Sequence, residues 1–322
     1  MFRSLLPRHF DIICEINRRF LDEVAHRWPG DAGRIARMSI FEEGEQGGWD
    51  DKRIRMANLA LVGSHSVNGV AALHSDLLER DLFHDFHELW PKKLRNVTNG
   101  VTQRRWLLQA NPALARLINE SIGERWITDL DALTELIPLA DDSTFRETWS
   151  GIKRLNARVL AKYVEDRVAV GIDPDSLFDV QVKRIHEYKR QLMNVLRVFV
   201  FGMTEAEVTA LRAQGYRPRD YYESNAELRR VIDLIRSGAV SGGDAERYAG
   251  LMDNLLDWDP YLVLADFADY LEAQDAAARA FRDQAAWARM SILNVVNMGR
   301  FSSDRCVSEY AEGIWGIAPL CS

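Results

Sequence analysis

FDVQVKRIHEYKRQLMNVLRVF, residues 178–199, is the stretch on which the reading of this chain turns. Within eight positions it places five potential cations, Lys183, Arg184, His186, Lys189 and Arg190. Residues 178–182 have the composition of a short strand. From 183 to about 199, Ile185, Leu192, Val195, Leu196 and Phe199 favour a helix. The cations therefore stand where that helix begins. A helix N-terminus carries roughly half a positive charge, and first turns prefer Asp and Glu. Left empty, the cluster repels itself. A phosphate would satisfy the free N–H groups, the dipole and the cationic side chains together. The competing reading is a solvated basic face with Glu187 in its middle, or pairing to acidic neighbours.

The chain as a whole is acidic, with a net charge of −7 over 322 residues, which argues against a general nucleic-acid binder. Its length suits one large domain or two ordinary ones. Arginine outnumbers lysine 34 to 7, so few amines are available for lysine chemistry. Cys14, Cys306 and Cys321 are odd in number and widely spaced, which speaks against a disulfide framework or a zinc site. No run approaches the ~20 uninterrupted apolar residues of a membrane span. The apolar start is broken by Arg8, His9 and Asp11, unlike a signal peptide. No membrane partner is expected, and the expected location is the cytoplasm.

Apolar periodicity predicts helices over residues 5–28, ended by Pro29-Gly30, and over 31–41, 112–122, 129–136 and 144–170. Beyond 201 the pattern is almost wholly helical: 204–214, 221–237, 244–258, 261–285, 286–296 and 303–315. Residues 42–52 read as an acidic, glycine-rich loop. The segment after it is apolar and rich in small residues, with a tight turn at Asn68-Gly69. Strand candidates are few for a chain of this size.

Other candidates are weaker. His84 and His87 share one helical face, but no third ligand follows at a useful spacing, so no metal is expected. His65 and His74 lie in an apolar segment and read as core histidines. GSHSVNG lacks the Gly-x-Ser-x-Gly spacing of a nucleophile elbow. From Asn99 to Trp106 an Asn-Gly turn precedes two guanidinium groups and a large flat ring. This is either a surface turn anchored by a buried Trp or a sugar- or ring-binding corner, and the residues alone leave both open.

Taken together, LLPRHFDIICEINRRF, RMSIFEE, MANLALVGSHSVNGVAALHSDLL, VTNGVTQRRWLL, FDVQVKRIHEYKRQ, YYESNAELRRVIDLI and GRFSSDRCVSEYAEGIW resemble blocks of the glycogen (α-glucan, maltodextrin) phosphorylases, in family order. VQVKRIHEYKRQ is the most specific of them. The resemblance implies an α/β fold of glycosyltransferase-B type with two Rossmann-like lobes. It implies a pyridoxal 5'-phosphate enzyme, a hexosyltransferase of glycogen catabolism, that cleaves terminal α-1,4-glucosidic bonds with orthophosphate to give glucose 1-phosphate. It further implies that Lys183 meets the cofactor phosphate and that Arg184 and Lys189 hold the substrate phosphate against it as catalytic groups. Trp106 packs beside the cofactor on this reading, and Asn99 bonds a hydroxyl of the transferred glucosyl unit. Tyr188 and Arg190 support the cluster. The partners implied are an α-1,4-glucan and orthophosphate, and a homo-oligomer, a dimer by family.

The sequence also departs from the family pattern. It begins inside it, so residues 1–98 match only the end of the N-terminal glucan-binding lobe, and the sugar-binding histidine of that lobe has no counterpart. Residues 99–197 match the start of the cofactor and phosphate lobe, and 198–322 its helical C-terminal part. Between about Leu196 and Phe201 the chain passes directly to a later family block. It omits βα units that include Gly-Thr-Gly-Asn-Met-Lys, whose lysine forms the Schiff base. None of Lys52, Lys92, Lys93, Lys153, Lys162, Lys183 and Lys189 stands in that motif. The expected molecule is thus a mostly helical, truncated remnant with few strands. Three functions follow: a catalytically incomplete phosphorylase, a non-catalytic self-associating remnant, or a phosphate or sugar-phosphate binding module built on residues 183–190.

Overall fold

A computed structural model describes residues 2–42, 52–178 and 201–318. The basic segment from 183 to 190, the strand expected at 179–182 and most of the acidic loop lie outside the described residues. Contacts divide the chain into two units, residues 1–133 with 297–322, and residues 134–296. Both are mostly helical, and two pairs of short strands occur among the described residues.

The first unit opens on the helix Pro7–Arg27, with proline in its first turn, where the missing N–H costs nothing. Phe10, Ile13, Phe20 and Val24, spaced at three, seven and four positions, form its buried side. The helix Ala32–Met38 is capped by the Asp31 carboxylate, which accepts from Arg34 N at 2.8 Å. Periodicity carries this helix to residue 41, but it stops at Met38. Ile40 N donates to Asn17 Oδ1 at 2.7 Å, and Asn58 Nδ2 donates to the carbonyls of Met38 and Ser39 at 3.1 and 2.9 Å. With its backbone groups taken by side chains, the segment extends into β1 (Phe41–Glu42), antiparallel to β2 (Arg53–Ile54). Phe20, Val24, Met38, Leu61 and Phe86 form the core, with the Phe20 and Phe86 rings stacked 5.7 Å apart.

Two strands were not visible in the periodicity. β3 (Val67–Gly69) pairs in parallel with β4 (Leu94–Asn96), and helical turns cross between them, as a parallel pair requires. At Gly69 a Cβ would fall on Ser75 Oγ, so only glycine lets the helix Ala72–Leu77 lie this close to the strand. The same packing turns Ser75 inward and leaves His65 and His74 exposed, so neither is a core histidine.

In the second unit the helix Ser143–Val168 starts under the Asp142 cap, which accepts from Phe145 N at 2.7 Å. Trp149 is 1 % exposed and packs with the helix Gln284–Val296, whose Ala288, Ile292 and Val296 are buried. Past Trp149 this helix buries only Ala161, while Leu155, Val159 and Tyr163 are 55, 64 and 57 % exposed. A second core joins Leu228, Ile232, Met252, Leu256 and Leu264. The helix expected over 221–237 breaks at Asn225. Its side chain accepts from Glu227 N and Leu228 N and restarts the chain as Ala226–Arg236. Thr204 and Glu207 form a reciprocal capping box at the start of Glu205–Gln214. No helix among the described residues is long and apolar enough to cross a membrane.

Asp259, 1 % exposed, organises the turn after Ala249–Asp257. Its carboxylate accepts from Tyr216 Oη at 2.6 Å and from Val263 N and Leu264 N, both at 2.9 Å. Burial, and then this hydrogen bond, pushes the Tyr216 hydroxyl well above the usual phenol range. Asp259→Ala would strand three donors, Leu264 N among them buried and the other two half-buried. We expect it to cost about 2–4 kcal/mol in a urea melt followed by tyrosine and tryptophan signals. A change under 1 kcal/mol would show that the turn holds without it.

Candidate functional site

The described part of the site lies beyond the carboxyl ends of β3 and β4, the position where open parallel sheets bind ligands. Val97 N donates to Gly69 O and Asn99 N to Val70 O, both at 3.0 Å, so the chain leaves β4 alongside the residues that follow β3. The Asn99 side chain is exposed there. Gly100 follows, and a Cβ on it would collide with the backbone of Ser302 and Ser303. That approach lets Val101 pair with the C-terminal segment: Val101 N donates to Phe301 O at 2.7 Å, and Ser303 N to Val101 O at 3.0 Å.

Side chains reinforce the pairing. Arg104 grips Asp304 with both guanidinium nitrogens, at 2.8 and 2.6 Å, and donates to Ile127 O at 3.0 Å. Gln103, 3 % exposed, donates from Nε2 to Ile127 O at 2.8 Å and to Asp304 Oδ2 at 3.1 Å. The Arg104 hydrogen bond holds the Asp304 carboxyl below the usual carboxylate range, against partial desolvation, and raises Arg104. Nearby, Asn68 Nδ2 donates to Tyr310 Oη at 2.6 Å, and Arg95 donates to Gly313 O.

Trp106 sits in the wide turn Arg104–Gln109 and is 68 % exposed, so it is not the buried anchor of this corner. Gln103 and Arg104 anchor it instead. Sequence reading missed Gln103, Gly100 and Asp304. The only local signal was the pair of glycine-containing turns, because the partner segment lies 200 positions away. Asn99 and Trp106 thus belong to one corner of the first unit. Lys183, Arg184 and Lys189 lie outside the described residues. His84 Nε2 faces Glu88 at 3.4 Å, His87 Nδ1 lies 4.0 Å from Glu79, and no metal-binding cluster occurs among the described residues.

A covalently held carbonyl cofactor needs a free amine. Lys93 Nζ lies 3.9 Å over the Trp90 ring and donates to Val62 O at 3.4 Å. Lys162 pairs with Glu165 and Asp166, and Lys153 donates to Ser291 Oγ. Each of these three amines is thus directed at a partner away from the corner of Asn99 and Trp106.

The family model of the carbohydrate phosphorylases matches residues 1–200 and again 197–317, two stretches that meet where sequence reading sets the seam. The chain is 38 % identical to a glycogen phosphorylase of Synechocystis, in a match that takes in 99 % of the chain and 52 % of the relative. It is 33 % identical to the muscle forms of glycogen phosphorylase from Bos taurus and Oryctolagus cuniculus, again over 99 % of the chain and 52 % of each relative. The chain therefore spans about half the length of the curated relatives it matches. The match to the Synechocystis protein runs over 445 residues whereas the chain has 322, so more than 120 positions have no counterpart here.

Gly100→Ala should force apart the backbone of residues 100 and 302. The expected loss is roughly 2–3 kcal/mol, read as faster amide exchange over 299–310. The Asp304 contribution has a sign fixed by its lowered pKa. It is fully present above about pH 5 and is lost as acid protonates the carboxylate of the folded chain. Because the Arg104–Asp304 pair is about two-fifths exposed, Asp304→Asn should cost only about 1 kcal/mol at pH 7. The difference should shrink as the pH falls below about 4, and a difference that does not fall with pH would assign the effect to something other than charge.

Proposed function

We propose that this chain, which belongs to the carbohydrate phosphorylase family, derives from an α-1,4-glucan phosphorylase and is catalytically incomplete. The parent reaction is phosphorolysis of a terminal α-1,4 link to glucose 1-phosphate in glycogen catabolism, with a cytoplasmic place of action. The observation that carries the reading is the break: two family matches meet at 197–200, with more than 120 positions of a relative unaccounted for. In the family that interval holds the lysine of the pyridoxal phosphate cofactor. The parent fold on this reading is of glycosyltransferase-B type, with lobe boundaries near 98 and 197, and the parallel pair of β3 and β4 is consistent with one edge of such a sheet.

Within this reading Lys183 meets the cofactor phosphate, while Arg184 and Lys189 hold the substrate phosphate. The physical requirement is plain: two phosphate dianions brought face to face repel, and fixed cations offset that repulsion. Asn99 supplies a hydrogen bond to the glucosyl unit, and the exposed ring of Trp106 offers an apolar wall beside the cofactor. The orthophosphate side of the site is kept in the sequence, whereas the amine that fixes the cofactor is not.

The second reading, a self-associating remnant, is favoured by Leu155, Val159, Tyr163 and Val168, which leave one helix apolar and exposed. It follows the oligomeric habit expected of the parent. The two readings are separated by two assays. Glucose 1-phosphate release from glycogen or maltodextrin, with phosphate and saturating pyridoxal phosphate, should be at background for protein shown by circular dichroism to be folded. Release that disappears in Lys183→Ala would overturn the incomplete-enzyme reading. Light scattering after size exclusion should show species above the monomer mass, and a sharp monomer with a cooperative melt would count against self-association.

A further inference from the structure

A hollow of about 560 Å³ in the second unit lies between the helices Ser143–Val168 and Gln284–Val296, and residues 174–178 close one side. One wall is aromatic: Phe281 and Trp287 meet edge to face with centroids 5.3 Å apart, and Leu160 adds apolar surface. At the rim Arg154 and Asp175 neutralise each other at 3.0 Å. Lys153 lines the same hollow and has no carboxylate within ion-pair distance among the described residues.

The polar groups converge on Ser291. Its Oγ accepts from Trp149 Nε1 at 3.2 Å and from Lys153 Nζ at 3.1 Å. Both lone pairs are therefore used, and the hydroxyl's own proton finds no acceptor among the described residues. Lys153 keeps two further N–H donors. Its side chain stays partly exposed, and partial loss of hydration lowers its pKa. An apolar-walled pocket with a few convergent donors suits an anion carried on a flat apolar body.

We propose that this hollow binds a small aromatic carboxylate, its carboxylate held by Lys153 Nζ and the Ser291 hydroxyl, its ring against Trp287, Phe281 and Leu160. The carboxylate supplies Lys153 with a counter-charge and the Ser291 proton with an acceptor, neither of which the described residues provide. The ring takes the aromatic wall out of water. No group is transferred, and binding here requires no phosphorolysis.

Calorimetric titration of the full chain with 2-naphthoate tests the assignment. The expected result is saturable one-to-one binding that weakens at least about tenfold in Lys153→Met and holds within about threefold in Lys153→Arg. On the unaltered chain, 2-naphthalenemethanol, which keeps the ring and lacks the charge, should bind at least about tenfold more weakly. This comparison stands even where Lys153→Met fails to fold. Naphthoate that does not bind at millimolar concentration, or that binds no better than the alcohol, would overturn the proposal. So would equal binding by a folded Lys153→Met variant.

Discussion

The constraint on which the first unit depends is a close approach of two backbones, at Gly100 and at Ser302–Ser303. No side chain fits between them. Because the approach is that tight, Val101 exchanges hydrogen bonds with Phe301 and Ser303, and Arg104 and Gln103 reach Asp304. Segments 200 positions apart thereby become one unit. Loop closure over such a length costs only a few kcal/mol more than over a short one, since the entropy grows with the logarithm of the loop. A handful of well-made bonds suffices to hold it. That explains why family blocks on either side of the seam near residue 200 still meet, although the chain between them departs from the family pattern.

The tie also sets what is left of a site. Asn99 emerges from β4 beside Val70, at the carboxyl ends of two parallel strands, and Gly100 cannot move without breaking the pairing. The corner is therefore preorganised with no ligand contributing to it. Its described charges are largely spent: Arg104 on Asp304, Arg95 on a carbonyl. A phosphate would have to be held by other cations, and the sequence concentrates these in residues 183–190. Charge density in an acidic chain and the expected helix start both favour an anion there.

How much of this was legible beforehand depends on range. Helices whose faces repeat over several turns, such as Pro7–Arg27 and Pro112–Ile122, were readable because burial has the period of the backbone. Elements fixed by one remote group were not. The helix over 31–41 ends early because Asn17 and Asn58 claim backbone groups, and nothing in the local pattern announces that. β3 and β4 are three residues each, too short to alternate, and are set by pairing. The histidines were misread for a related reason. Composition placed His65 and His74 in a core, whereas the Gly69–Ser75 contact turns the helix that carries His74 the other way, and His65 lies exposed just before β3. At the site, Asn99 and Trp106 were named from resemblance. Gln103 and Asp304, which hold the corner together, carry no local signature.

The exposed face of Ser143–Val168 shows how far energetics alone can specify an assembly. Leu155, Val159 and Tyr163 recur every four residues, so they form one stripe, and covering it with any apolar surface is favourable at roughly 25 cal/mol per Å². A two-fold antiparallel pairing centred on Val159 would set Leu155 against Tyr163 of the second copy, which suits burial. The same register brings Arg158 beside Lys162 at the edge of the stripe, and like charges there oppose it. Lys162 is already paired with Glu165 and Asp166 on its own helix, which softens that repulsion without creating a complementary edge. Apolar area would thus drive any association, while the flanking charges select no register. A surface of this kind would gather copies without ordering them.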